Sequence, residues 1–194
     1  GKLWLTLLLV ALIAYILGMG LPISTSYIIL ATLSAPAIVS LGVDMLVVHL
    51  TIFWFTQLAT ITPPVCMTAF AAAGIAQGQP MKTGFTALKM GFTFYYVPVL
   101  FVYSQLINGA WWVQCIIAVF AIIAIYFLGT FTEKYFMGDL GNIQRFTGLA
   151  IFAAIYFMMF DGLTMPMRGA LLALAVALIA SLYIVQKKKQ QAAA

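Results

Sequence analysis

Thr60-Ile61-Thr62-Pro63-Pro64-Val65-Cys66 interrupts an otherwise apolar stretch, and the folding of that run decides the architecture. Consecutive prolines remove two backbone donors and push the residue before each away from the helical region. A helix that reaches Thr60 must therefore unwind there, and Pro63 and Pro64 are placed to open a second helix toward Ala76. Backbone groups freed at membrane depth are tolerated only where protein or an aqueous cavity surrounds them. Broken helices of this kind build ion and substrate sites in secondary transporters.

Membrane depth is the right setting because of the composition. Hydrophobic residues make up 65% of the 194, and charged residues only 7%, where a soluble domain carries roughly a quarter. Runs such as Trp111 to Leu128 and Gly169 to Val185 approach the ~20 apolar residues that cross a hydrocarbon core. The expected fold is therefore an all-α integral membrane protein. The net charge of +5 is no nucleic-acid footprint, since Lys187, Lys188 and Lys189 directly follow an apolar span and read as a cytoplasmic anchor in the lipid bilayer. Cys66 and Cys115 have no ligand-type neighbours, which argues against a disulfide or a zinc site, and Cys66 reads as a small packing residue. Gly1 is not an initiator, and the first helix begins directly after Lys2, so the chain reads as the C-terminal part of something longer.

Upstream of the break, Leu3 to Leu17 and Tyr27 to Leu41 are expected as two helices around the uncharged tip Gly18-Met19-Gly20-Leu21-Pro22-Ile23-Ser24-Thr25-Ser26. Two short full spans would fit as well as a re-entrant hairpin. A tip without charge across nine residues favours the hairpin, because a full span would bring its turn to the headgroups. Asp44 suits the N-cap of the helix that follows. Beyond the break, Lys82, Thr86 and Lys89 share one face opposite Met81, Phe85 and Leu88, the pattern of an interfacial helix. The expected organisation is a transport region over 1–76, with the hairpin at 3–41 and the broken helix at 45–76. An amphipathic arm at 77–90 follows, then scaffold spans at 91–128 with a kink at Pro98. A cytoplasmic loop at 129–145, further spans at 146–186 and a basic tail at 187–194 complete the chain. With the C-terminal lysines cytoplasmic, alternating spans bring Lys82, Lys89, Lys134 and Arg145 to the same side, seven positive charges against Lys2 and Arg168 opposite.

The order Gly18-Met19-Gly20-Leu21-Pro22, then Thr62-Pro63-Pro64-Val65, then Ala71-Ala72-Ala73-Gly74-Ile75-Ala76 resembles the tripartite ATP-independent periplasmic (TRAP) transporters. More narrowly it is similar to the fused large membrane component that works with TAXI-type binding proteins, over roughly Leu3 to Tyr103. The resemblance implies one half of an inverted-repeat, elevator-type transporter driven by sodium as the coupling ion. No other cofactor is implied. Its substrate would be a small organic anion such as a carboxylate, delivered by a periplasmic substrate-binding protein. The remaining N-terminal half and a small membrane domain would complete the transporter in the bacterial or archaeal inner membrane. Two departures stand out: Cys66 follows Val65 where the family pattern often has glycine, and Ala59 stands where glycine is frequent.

Neutral oxygens suit a weak, reversible sodium site, and half-helix N-termini suit an anion. Gly18, Met19 and Gly20 are candidate sodium-binding carbonyl donors at the tip, with Thr60 and Thr62 at the break. Pro22, Ser24, Thr25 and Ser26 at the tip, with Pro63 and Pro64 at the break, are the candidate substrate-binding residues. Each hydroxyl has an alternative reading as a back-bond to a helical carbonyl or an interhelical bond. His49 reads as a hydrogen-bonded structural residue, Gln57 as either a ligand orienter or an interhelical bond, and Trp54 and Tyr95 as packing or interfacial aromatics. The four acids, Asp44, Glu133, Asp139 and Asp161, are scattered over different elements with a single histidine, which makes an enzyme a poor reading. A transporter of another hairpin-and-break family without a binding protein, and a non-transporting scaffold subunit, are the alternatives.

Overall fold

Helices that stop short of a bilayer's thickness dominate the first half of the chain. A computed structural model describes residues 2–193, and the expectations for Gly1 and Ala194 lie outside them. The chain divides into two units, Gly1–Val102 and Tyr103–Ala194. Among the described residues the regular structure is helical, apart from one isolated bridge between Tyr135 and Asp139.

The first unit opens with α1 (Leu3–Gly18), α2 (Ile23–Val39) and α3 (Met45–Leu58), which pack on one another. At 1.5 Å per residue, α1 and α2 are about 24 and 26 Å long, less than the ~30 Å hydrocarbon thickness. Their shared core holds Leu7, Val10 and Ala14, then Leu30, Ala35 and Ile38, then Val48 and Ile52. Outward faces stay apolar, as at Trp4, Leu12 and Leu33, which suits lipid as the surrounding solvent. Asp44 caps α3 as expected, its Oδ1 accepting the Leu46 N–H at 2.9 Å and the Val47 N–H at 3.4 Å.

The tip is shorter than expected. Ser24, Thr25 and Ser26 lie in the first turn of α2, because Pro22 is extended at φ −57, ψ 150 and its carbonyl accepts the Ser26 N–H at 3.0 Å. A proline just ahead of a helix surrenders no helical hydrogen bond, so the helix starts directly after it. The true turn is Met19 to Pro22. α2 also ends at Val39 rather than Leu41, ahead of a turn through Gly42 at φ +91.

At the break, α3 tightens into a 3₁₀ turn, Ala59–Ile61, and the chain unwinds from Thr62 to Cys66 before α4 (Met67–Ile75). The prolines therefore lie in the unwound linker and do not open α4. Each disfavours the helical region for its predecessor, and Thr62 is accordingly extended at φ −96, ψ 119. The Pro63–Pro64 peptide is cis. Cys66, at φ 22, ψ 62, turns the chain into α4.

The helical path continues through α5 (Pro80–Gly91), a 3₁₀ segment Phe92–Tyr96 and α6 (Val97–Tyr103) without a loop. Pro80–Tyr103 is one of three stretches long and apolar enough to cross a membrane among the described residues. The irregularity expected at Pro98 falls one turn earlier. Pro98 has no N–H for the Phe94 carbonyl, which instead takes the Val97 N–H in the 3₁₀ manner and the Trp54 indole Nε1–H at 3.1 Å.

The second unit consists chiefly of α7 (Trp111–Glu133), α8 (Asn142–Met158) and α9 (Met165–Ala193), with α8 packed on both others. Trp111–Glu133 and Met165–Lys189 are the other two candidate spans. α7 runs past Leu128, so the expected loop at 129–145 contracts. Thr130 and Thr132 return their hydroxyls to the Phe127 and Gly129 carbonyls, at 2.7 and 3.1 Å, and stay helical. Gly148 of α8 seats directly against Thr130. Lys187 to Lys189 continue α9 as helix rather than forming a separate tail.

Candidate functional site

Two breaks far apart in sequence meet in the first unit. A Cβ on Gly18 would overlap the Ala59 Cβ and stand 3.8 Å from the Thr56 carbonyl oxygen, so the end of α1 rests on the last turn before the break. Only a glycine fits against the buried Ala59 there. The 3₁₀ turn that carries Ala59 also touches α4 and α5, which places it at the centre of the unit's polar interruptions.

The tip presents free acceptors. Among the described residues, the carbonyls of Gly18, Met19 and Gly20 accept no hydrogen bond. For Gly18 the cause is direct: its i+4 partner is Pro22, which has no N–H. At the break, the Ile61 carbonyl likewise accepts none, whereas that of Thr60 takes the Thr68 hydroxyl at 2.6 Å.

The two break threonines give their protons away. Thr60 Oγ1 donates to the Gln57 carbonyl at 2.8 Å and Thr62 Oγ1 to the Leu58 carbonyl at 2.5 Å. Thr62 Oγ1 also lies 2.6 Å from the Tyr95 hydroxyl. A hydroxyl has one proton to donate, so Tyr95 is the donor in that pair when Thr62 bonds Leu58. Both back-bonding and an interhelical bond therefore occur at Thr62, leaving its oxygen an acceptor. Tyr95 in turn packs on Tyr15 of α1, ring centroids 6.1 Å apart, tying the hairpin to the break.

The serine cluster separates. Ser26 is fully buried, and among the described residues its Oγ has no partner. Ser24 instead lines an open groove of about 680 Å³ between α2 and α3, with Tyr27, His49, Phe53 and Gln57. Pro22, Thr25, Pro63 and Pro64 are not among the residues that line it. The Tyr27 hydroxyl is 2.9 Å from His49 Nδ1, which supplies the hydrogen-bonded role expected of His49. Tyr27 and Tyr95 were missed as site residues, because no local pattern distinguishes them from interfacial tyrosines. Among the described residues, no group of His, Cys, Asp and Glu is placed to hold a metal ion.

The glycine departures are compensated from the facing helix. Cys66 occupies a left-handed backbone conformation that favours glycine. Its thiol is buried against Gly84 of α5, where a Cβ would come within 2.5 Å of Sγ. Ala59 is matched by Gly18 in the same way.

An apolar helical chain whose hairpin tip, with three free carbonyls, meets a Pro-Pro break is built as a membrane transport protein. A family model described as the tripartite ATP-independent periplasmic transporter, DctM component, matches residues 1–108, more than half of the chain, and the chain belongs to that family. It is thus a permease component of a membrane transporter and not a member of an enzyme family. No curated protein and no solved structure matched it.

Proposed function

We propose that the chain forms one half of a sodium-coupled, elevator-type importer of small organic anions in the inner membrane. Its hairpin is re-entrant, and its C-terminus is cytoplasmic. A TAXI-type periplasmic binding protein delivers the substrate, and an N-terminal half and a small membrane domain complete the machine. The observation that carries this reading is the seat of the tip on the break at Gly18 and Ala59. That contact joins the tip, with the unpaired carbonyls of Gly18, Met19 and Gly20, to the turn Ala59–Ile61 that leads into Thr62, and we assign sodium to the tip carbonyls together with Thr60 and Thr62, neutral oxygens suited to a hard monovalent cation.

Sodium bound there holds the hairpin tip to the broken helix, so ion binding orders the surface that meets the anion. On that surface, Pro22, Ser24 and Thr25 begin α2, with the Ser26 side chain buried behind them, and Pro63 and Pro64 precede α4. Those helix N-termini favour negative charge. The groove beside Ser24 adds the Tyr27, His49 and Gln57 side chains as polar contacts for the substrate. Movement of 1–76 relative to the spans at 91–128 then carries ion and anion together, with 77–90 as the arm between them.

The test is uptake into proteoliposomes by the intact transporter, with and without a sodium gradient and with and without the binding protein. Uptake that needs both supports the reading. Sodium dependence without the binding protein moves the chain to a different mode of delivery, and independence from sodium removes the ion assignment.

A further inference from the structure

We propose that the second unit carries a seat for an anionic phospholipid between the start of α8 and the end of α9. An open groove of about 560 Å³ lies there, with Ile143, Leu182 and Val185 in its apolar lining. Along α9 it extends from Ser181 to Lys189, about 12 Å of helix. One end is polar: Lys189 Nζ donates to Gln144 Oε1 at 2.9 Å. The same oxygen accepts the Gly141 N–H at 3.0 Å and lies 3.5 Å from Gln186 Nε2. Gln144 thus ties the start of α8 to the end of α9 and holds the ammonium at the mouth of the groove.

A neutral partner positions Lys189 without cancelling its charge. Lys187 and Lys188 are exposed beside it, and among the described residues no carboxylate pairs with any of the three lysines. The candidate span Met165–Lys189 ends at this lysine, so the mouth sits where a spanning helix leaves hydrocarbon for headgroups. An occupant must be apolar along the groove and anionic at its end. A membrane phospholipid meets both demands, with an acyl chain over Leu182 and Val185 and its phosphate at Lys189. A soluble anion has no use for the apolar length. This site is independent of the hairpin and the break.

The experiment uses the intact transporter, delipidated in detergent and titrated with phosphatidylglycerol, phosphatidylcholine or inorganic phosphate. Retained lipid is read by native mass spectrometry. Wild type should retain phosphatidylglycerol in preference to phosphatidylcholine. Lys189→Gln should weaken phosphatidylglycerol binding about fivefold, the scale of one basic residue near an anionic surface. Val185→Trp, at an exposed position that lines the groove, should lower retention of both lipids. Lys187→Gln, outside the groove, should have the smaller effect. Equal retention of the two lipids, or an equal loss from Lys187→Gln and Lys189→Gln, would overturn the proposal in favour of diffuse charge. Displacement of the lipid by inorganic phosphate would overturn it in favour of a simple anion site.

Discussion

Replacing Gly18 with alanine tests whether the hairpin tip rests on the break. Gly18 is the last residue of α1, and an unobstructed helical glycine-to-alanine change stabilises by up to ~1 kcal/mol. Here the new methyl meets the Ala59 Cβ and comes within 3.7 Å of its Cα. Ala59 is fixed in a short 3₁₀ turn and is 2% exposed, so the obstacle is backbone-anchored and cannot rotate aside. Overpacking of that kind costs about 1–3 kcal/mol, and the unyielding neighbour favours the upper part of that range. Setting ~2–3 kcal/mol of overlap against ~1 kcal/mol of helix propensity leaves a net loss of about 1–2 kcal/mol. That corresponds to a fall of roughly 2–8 °C in Tm for a chain of this size. The assay is thermal unfolding of the detergent-solubilised transporter by tryptophan fluorescence, with uptake under an imposed sodium gradient alongside. Ala59→Gly in the same chain removes the obstacle and should recover most of both losses, giving a coupling energy of about 2–3 kcal/mol, the overlap alone. Gly74→Ala, with open space around its position in α4, serves as the control and should be neutral or stabilising. If Gly18→Ala behaves like Gly74→Ala, or if Ala59→Gly fails to relieve it, the tip does not rest on the break and the shared site dissolves with it.

Gly84→Ala should lower stability by up to about 2 kcal/mol, its contact with the buried Cys66 Sγ offset by ~1 kcal/mol of helix propensity, and Cys66→Gly should relieve it, measured by the same unfolding assay. Asp44→Ala should cost about 1 kcal/mol by uncapping α3, while Asp44→Asn keeps most of the cap; equal losses for the two would remove the capping role. Thr62→Ala removes the oxygen shared with Tyr95 and should raise the sodium concentration for half-maximal uptake by up to about tenfold, equivalent to about 1.4 kcal/mol. Tyr95→Phe, which keeps the Thr62 oxygen, should change it less, and an unchanged sodium response in Thr62→Ala rejects that ligand.

Much of the architecture was readable because it rests on local chemistry. The Pro63–Pro64 interruption, the uncharged tip and the Asp44 cap each follow from what a residue type permits in its own backbone. Boundaries moved where a tertiary partner replaced a missing local one. Pro98 leaves its trace one turn upstream because the Trp54 indole is available to the Phe94 carbonyl, and no reading of residues 92–98 alone locates that donor. Thr130 and Thr132 look like loop residues by composition, yet their hydroxyls bond within α7 and Gly148 packs against the first of them. The site shows the same division. Free carbonyls at Gly18 to Gly20 follow from glycine and the proline at position 22, whereas the Tyr27–His49 and Thr62–Tyr95 pairs join residues 22 and 33 positions apart. Ser24 and Ser26 stand together in sequence, but the helix that starts at Ile23 sends one to a groove and the other into the core.

Cys66 also provides a native chemical clock for the break. Its thiol is shut in by Gly84, while Cys115 lies on an exposed face of α7. With Cys115 changed to serine, a small maleimide reacts at position 66 only during intervals when α5 lifts away from the unwound linker. The labelling rate then counts those openings, and its response to sodium reads the linker's motion from a residue that no engineering had to introduce.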